Sequence, residues 1–359
     1  MYHLEGLRHD RIASLLGVPA GTVRSLVARA RATLQKELAM EEDLVTQPAP
    51  RRLLHVINGD CTLMSLEQSG VPGRMVVSAD VLCEGPCPLL EGAAWWEVRG
   101  HFLSRAYDEA DARSRLEEWD RALDDAALND EVILWYEHDL FCQLLLIRLL
   151  AHFADRPAPL SLVCIGEHPA VPAFKGLGEL TPDQLASLYE TRAPVDAAML
   201  AVGREAWAAY RAPDPAVLER LLARDLSPLP FLARALRRHL EEYPWVGDGL
   251  TRTERQILTL VRDGATDPWK IFRQLPELED CHYVADSWYF RILRGLGAAP
   301  APLLGEDLEH LSLTPLGHEV LAGRSDRIAT AGIDRWLGGV HLEGSPVWRW
   351  DPEGKRLRR

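Results

Sequence analysis

The chain has 359 residues, 47% apolar and 26% charged, with a net charge of −13. That describes a soluble globular protein long enough for two or three domains. The most apolar stretch, LFCQLLLIRLLAHF, is too short for a membrane span and is interrupted by Arg148, and no signal-type segment opens at Met1, so the expected setting is the cytoplasm, with no membrane partner.

Residues 1 to 38 carry six Lys/Arg against three Asp/Glu, a net +3 that leaves −16 for the rest of the chain. An acidic body repels nucleic acid, so any DNA contact must reside in this basic head. Within it, Ile12, Ala13, Leu16, Val18, Val23 and Leu26 are spaced as the buried set of two short helices, and Gly17 falls where the chain must turn between them. Thr22 is placed to cap the second helix, which the pattern carries to Leu38 with Arg24, Ser25, Arg29 and Arg31 on its polar positions. The spacing predicts a helix-turn-helix over residues 1–40 whose second helix reads DNA.

The segment EGLRHDRIASLLGVPAGTVRSLVARARATLQKEL resembles region 4 of sigma-70-family factors, especially the extracytoplasmic-function type. The resemblance implies contact with the −35 promoter element through Thr22, Arg24, Ser25 and Arg29, and RNA polymerase core as a partner. Residues 41–50, acidic and then Pro-containing, read as a linker.

From 51 to 170 the pattern changes. RLLHVI, RMVVSA, EVILWY and LSLVCI are short apolar runs separated by helix-length stretches such as ARSRLEEWDRALDDA, which predicts an α/β domain built on a mainly parallel sheet. Neither GxGxxG nor a Walker loop is present. The runs end in Asn58-Gly59-Asp60, in Asp80 with Glu84 behind it, in Glu137-His138-Asp139 and in Glu167-His168. Parallel strands would bring these ends to the edge where open α/β folds bind ligands. Asn58, Asp60, Asp80, Glu84, Glu137, His138 and Asp139 are therefore candidate ligands for a small-molecule effector or a divalent cation, Mg²⁺ or Mn²⁺ by their oxygen donors. The competing reading makes Asp60 and Asp139 helix caps and leaves Glu84 and Glu167 solvated.

LHVINGD, DVLCEGPCP and LWYEHDLFCQLLL, between Leu53 and His168, resemble the bacterial domain-of-unknown-function family numbered 1835, which implies a domain boundary but no reaction. Six scattered cysteines read as reduced, buried thiols; only Cys83 and Cys87 are close, a weak metal signal. Residues 171–245 read as a helical connector with a cap at Thr181. Residues 246–359 read as a winged-helix-like domain opening on a capping box at Thr251 and Glu254, with Trp336, Trp348 and Trp350 in a terminal hairpin and KRLRR as a solvated tail.

Two functions fit: a DNA-binding transcription regulator, sigma-like at its head and ligand- or partner-sensing in its body, or a metal-dependent or phosphate-substrate enzyme carrying a vestigial DNA-binding head.

Overall fold

The computed structural model describes residues 51–359, together with Val18, Thr22, Val23 and 25–34. The chain divides into two units, Met1–Arg51 and Arg52–Arg359. In the first, residues 25–34 are helical, as are Thr22 and Val23. Val23 is buried as expected, whereas Leu26 is 51% exposed, so the packed face of this helix is narrower than the apolar spacing indicates. Thr22, Ser25, Arg29 and Arg31 are exposed. Arg24, the turn at Gly17 and the preceding helix lie outside the described residues.

In the second unit, β1 (Leu53–Ile57) leads through α1 (Asp60–Gln68) to β2 (Arg74–Val77). A two-residue strand β3 (Gly85–Pro86) and helices α2 (Gly92–Tyr107) and α3 (Ala112–Asp124) precede β4 (Glu131–Glu137). Helix α4 (Leu140–Asp155) then connects to β5 (Leu160–Ile165). After α5 (Pro182–Tyr189), strand β6 (Ala193–Pro194) completes a sheet of order β2-β1-β4-β5-β6, in which the first four strands are parallel and β6 is an antiparallel edge. The four apolar runs read from the sequence are these four parallel strands. Proline at the edge costs no ladder bond.

Alternation along the strands sends side chains to opposite faces. Val56, Leu134 and Tyr136 join the larger core with α4, while Ile57, Ile133 and Trp135 pack with Leu66, Leu177 and Leu185 on the other side. His55 lies on the latter face, where Trp135 Nε1 donates to its Nδ1 at 3.0 Å and its Nε2 meets the Pro72 carbonyl at 3.0 Å, which fixes the Nε2–H tautomer.

The larger core runs without a break from Leu54 to Leu357, across the segments separated above. Helices α6 (Ala197–Tyr210), α7 (Ala216–Leu222) and α8 (Leu232–Leu240) cover the sheet and lead to α9 (Arg252–Arg262), α10 (Pro268–Gln274) and α11 (Asp286–Leu296). The Thr181 cap and the Thr251/Glu254 capping box both form. An antiparallel bridge, Leu304 with Leu313, follows α11, and then come α12 (Pro315–Leu321) and α13 (Arg327–Ala331). Strands β7 (Asp334–Gly338) and β8 (Val340–Glu343) form a hairpin whose β7 pairs in parallel with β3. Trp350 is buried in β9 (Arg349–Asp351), and Trp336 stacks on His341 with centroids 4.4 Å apart.

The KRLRR segment is not a solvated tail. Arg356–Arg358 is strand β10 paired to β9, with Leu357 buried and its N–H donated to Glu219 at 2.7 Å. One apolar residue between two arginines is the period of a half-buried strand.

Beneath α8, Arg238 bonds Glu242 and Glu279 at 2.8 Å each. Burial alone would raise the Glu242 carboxyl, but Arg238 and Arg335 hold it at about 2. Burial also drives neighbouring His239 down to about 3, against the pull of Glu242 and with help from Arg335 and Arg238; its ring contacts Tyr210 and Tyr243. Both groups sit below their unfolded values, so each contributes stability that is lost as pH falls: His239 from 6.5 towards 3, Glu242 from 4.5 towards 2. Denaturant unfolding between pH 7 and 4 should therefore show stability falling with acid, and His239→Leu should flatten the limb between pH 6.5 and 4.5 by up to about 1.4 kcal/mol per pH unit. An unchanged slope would exclude His239 as its source.

Candidate functional site

From β1 the chain crosses to β2 on one side and then to β4 on the other, so the strand order reverses between β1 and β4. The loops leaving neighbouring strand ends diverge there, opening a crevice at the carboxyl edge. Asn58 follows β1 and Glu137 ends β4, and the two meet: Asn58 Nδ2 donates to Glu137 Oε1 at 2.7 Å and to Cys142 Sγ at 3.3 Å. The Leu177 N–H donates to the same carboxylate oxygen. Gly176 allows that approach, since a Cβ there would stand 2.6 Å from Glu137 Oε2. Gln143 Nε2 holds the Glu137 carbonyl at 2.6 Å. Asp139 caps α4, accepting from the Cys142 N–H at 2.7 Å.

Ligand-capable atoms of Glu137, Asp139 and Cys142 all lie within 4.8 Å of one another, and all three residues are buried. Burial first, and then the charge of Asp139, raise Glu137 to about 8, although the Leu177 N–H and Asn58 amide favour its ionised form. Burial raises Asp139 to about 6 despite its bonds from Cys142 and Phe141, and pushes the Cys142 thiol upward. Burial and the mutual repulsion of the two carboxylates thus oppose full ionisation of the cluster, the property of an acid–base pair. As a donor set, two carboxylates and a thiol are softer than the all-oxygen set anticipated for Mg²⁺ or Mn²⁺.

The structure thus unites Asn58, Glu137 and Asp139. Asp60 shares this edge, but it is exposed in the first turn of α1 and, among the described residues, makes no side-chain hydrogen bond or ion pair; the cap position is Gly59. His138 is buried between Phe174 and Phe231, and its Nδ1 has no partner. Glu167 is exposed.

Asp80 and Glu84 are placed otherwise than as open ligands. Asp80 is fully buried against Arg99, with Nη2 to Oδ1 at 2.5 Å and Nε to Oδ2 at 3.1 Å. Glu84, also buried, accepts from Tyr107 Oη at 2.6 Å and from Arg291 Nε at 3.0 Å. A buried carboxylate demands a cation, and these two have one from the chain itself. Reading strand ends alone misses such partners, along with Cys142, Gln143 and the Gly176–Leu177 backbone. The available signals were Cys142 three residues after a capping Asp and a lone arginine among the buried positions of WWEVRGHF. Cys83 and Cys87 are buried free thiols, outside the ligand-capable cluster.

Residues 1–34 match the family model of sigma-70, region 4. The chain therefore carries a sigma-factor-like DNA-binding element at this end. No curated protein matches the chain. Among the described residues, no helix is long and apolar enough to cross a membrane.

Removing one member of the Asp80–Arg99 pair leaves a charge without its partner in the core. Asp80→Ala should cost about 3–5 kcal/mol in denaturant unfolding, and adding Arg99→Met should recover little of that loss, because the carbonyls of Val81, Glu84 and Pro86 then lose their donor as well. A single variant within about 0.5 kcal/mol of wild type would show the pair to be dispensable.

Proposed function

We propose that the protein is a transcription regulator in which the region-4-like element of residues 1–34 binds promoter DNA of the −35 type and the unit from Arg52 onward senses a ligand or partner. The observation that carries this reading is the match of residues 1–34 to sigma-70, region 4. It is supported by the exposure of Ser25, Arg29 and Arg31 along one described helical run, and by the concentration of net positive charge in the first 38 residues. Thr22, Arg24, Ser25, Arg29 and Arg31 are the proposed DNA contacts, with RNA polymerase core as the partner that supplies useful affinity. The helices α9 to α11 followed by the Leu304–Leu313 bridge support a winged-helix reading of the C-terminal region. In that reading α11 is a packing element, because its Arg291 is committed to Glu84. The likeness of residues 53–168 to the family numbered 1835 rests on the three quoted motifs.

The switch-point cluster favours a second reading, a metal-dependent enzyme or an effector site for a divalent cation, because three donors from one strand–helix junction converge in a buried place. Thermal unfolding with MnCl2, MgCl2, ZnCl2 or no added divalent cation tests it. Binding to the folded state should raise the Tm saturably, and Glu137→Gln should abolish the rise. No rise with any of the three cations would reject that reading and leave the DNA-binding one intact.

For DNA binding, about four phosphate contacts give a log–log salt slope of about −3.6, or roughly a hundredfold loss of affinity between 50 and 200 mM salt. Titration of the full chain against duplex DNA should show this dependence, and Arg24→Ala combined with Arg29→Ala should weaken binding. The absence of any salt-dependent binding at low salt, with polymerase present or absent, would remove the reading.

A further inference from the structure

We propose that the cavity between the N-terminal turn of α4 and helix α8 is a binding site for a small phosphate-class anion, either free phosphate or a phosphomonoester. The cavity has a volume of about 180 Å³ and is lined by His138 and Leu140 on one side and by arginines of α8 on the other. The sequence of α8, LARALRRHL, sets Arg234, Arg237 and Arg238 at i, i+3 and i+4, which gathers them on one helix face.

Their surroundings differ. Arg238 is buried and consumed by Glu242 and Glu279, and Arg252, from the start of α9, is consumed by Glu241 and Glu279, the latter at 3.2 Å. The acids Glu241 and Glu279 in the wall are thus neutralised by the wall itself. Arg234 and Arg237 are exposed at the cavity and, among the described residues, have neither a hydrogen bond nor an ion pair from their guanidinium groups. The one remaining carboxylate in the lining, Asp280, is exposed. Two uncommitted guanidiniums against one solvated carboxylate leave the cavity with an excess of positive charge.

The second observation is His138. Only 7% of it is exposed, its ring stacks on Phe174 and meets Phe231 edge-on, and among the described residues neither ring nitrogen has a hydrogen-bond partner. Nδ1 is sealed from the cavity, which leaves Nε2 as the ring nitrogen that a hydrogen-bonding ligand there can meet. Guanidinium groups match the oxygens of phosphate with paired N–H donors, and a neutral imidazole adds one more. The volume fits a phosphate with a few further atoms and falls short of the space that whole cofactors occupy. Guanidiniums at the opening exclude a cation, which separates this site from the cluster of Glu137, Asp139 and Cys142. The inference names a substrate or effector class for the unit from Arg52 onward, and it stands whether or not that cluster binds a metal.

The test is calorimetric titration of the full chain with inorganic phosphate, with chloride at equal ionic strength as the control and glycerol 3-phosphate as a second ligand. Phosphate should bind saturably and raise the Tm where chloride does not. Arg234→Gln with Arg237→Gln should weaken it about tenfold to a hundredfold. That double variant should keep the wild-type Tm without phosphate, since neither side chain has a partner to lose. Arg105→Gln, an exposed arginine lining a different cavity, should bind as wild type does. Tighter binding of glycerol 3-phosphate would assign an ester as the ligand, and equal or weaker binding would assign free phosphate. No saturable binding of either, a response equal to that of chloride, or binding untouched by the double variant would overturn the proposal. So would binding of a single-stranded oligonucleotide that phosphate cannot displace.

Discussion

The guanidinium of Arg99 is the constraint on which the second unit depends. It is fully buried and presents five N–H donors, and each has an acceptor: both Asp80 oxygens and the carbonyls of Val81, Glu84 and Pro86. Burial opposes its charge, and Asp80 more than restores it. One side chain from α2 thereby fixes the whole loop from Asp80 to Pro86. That loop carries β3, whose parallel pairing with β7 joins it to the terminal hairpin in a separate three-stranded sheet, and it carries Glu84, which reaches Arg291 on α11.

The end of β4 separates two chemistries by the period of a strand. Glu137 falls on the face of Ile133 and Trp135, where it meets Asn58 and the Leu177 N–H. His138, one residue on, contacts Phe231 and shares a cavity with the arginines of α8. Successive side chains at a strand end point oppositely, so one junction serves a buried acidic cluster on one side and an arginine-lined cavity on the other. A change in the position of α4 would reach both, because Asp139 caps that helix between them.

The sheet was legible because buried parallel strands are continuous apolar runs, and LLHVI and EVILWYE are buried at every position. Asn58, Glu137 and Asp139 were legible because strand ends converge at a switch point whatever the details of packing. Asp80 and Glu84 looked identical to them in the sequence. What separates the two groups is a partner 19 residues away for Asp80 and 207 away for Glu84, which no local pattern encodes. The turn of the predicted helix-turn-helix and Arg24 fall outside the described residues, so the reading of the head rests on its sequence and on the family match. Leu26 shows the limit of spacing alone, since an apolar residue at a helical interval is covered only if another surface meets it.

The distribution of buried carboxylates gives the switch-point cluster its significance. Among the described residues, Asp80 pairs with Arg99, Glu84 with Arg291, Glu131 with Arg192, Glu242 with Arg238, Asp248 with Arg255 and Asp351 with Arg358. Glu137 and Asp139 are buried to a similar degree, and neither has an ion-pair partner among the described residues. They have neutral donors instead, from Asn58, Leu177 and Cys142, and each other's charge at close range. A chain that matches buried acids to arginines in six places and leaves two acids side by side without one keeps an electrostatic cost at a single point. Such a cost persists where the surrounding fold is stable enough to bear it and where a proton or a cation is to be held. The exception therefore marks the place more sharply than the acids do by themselves.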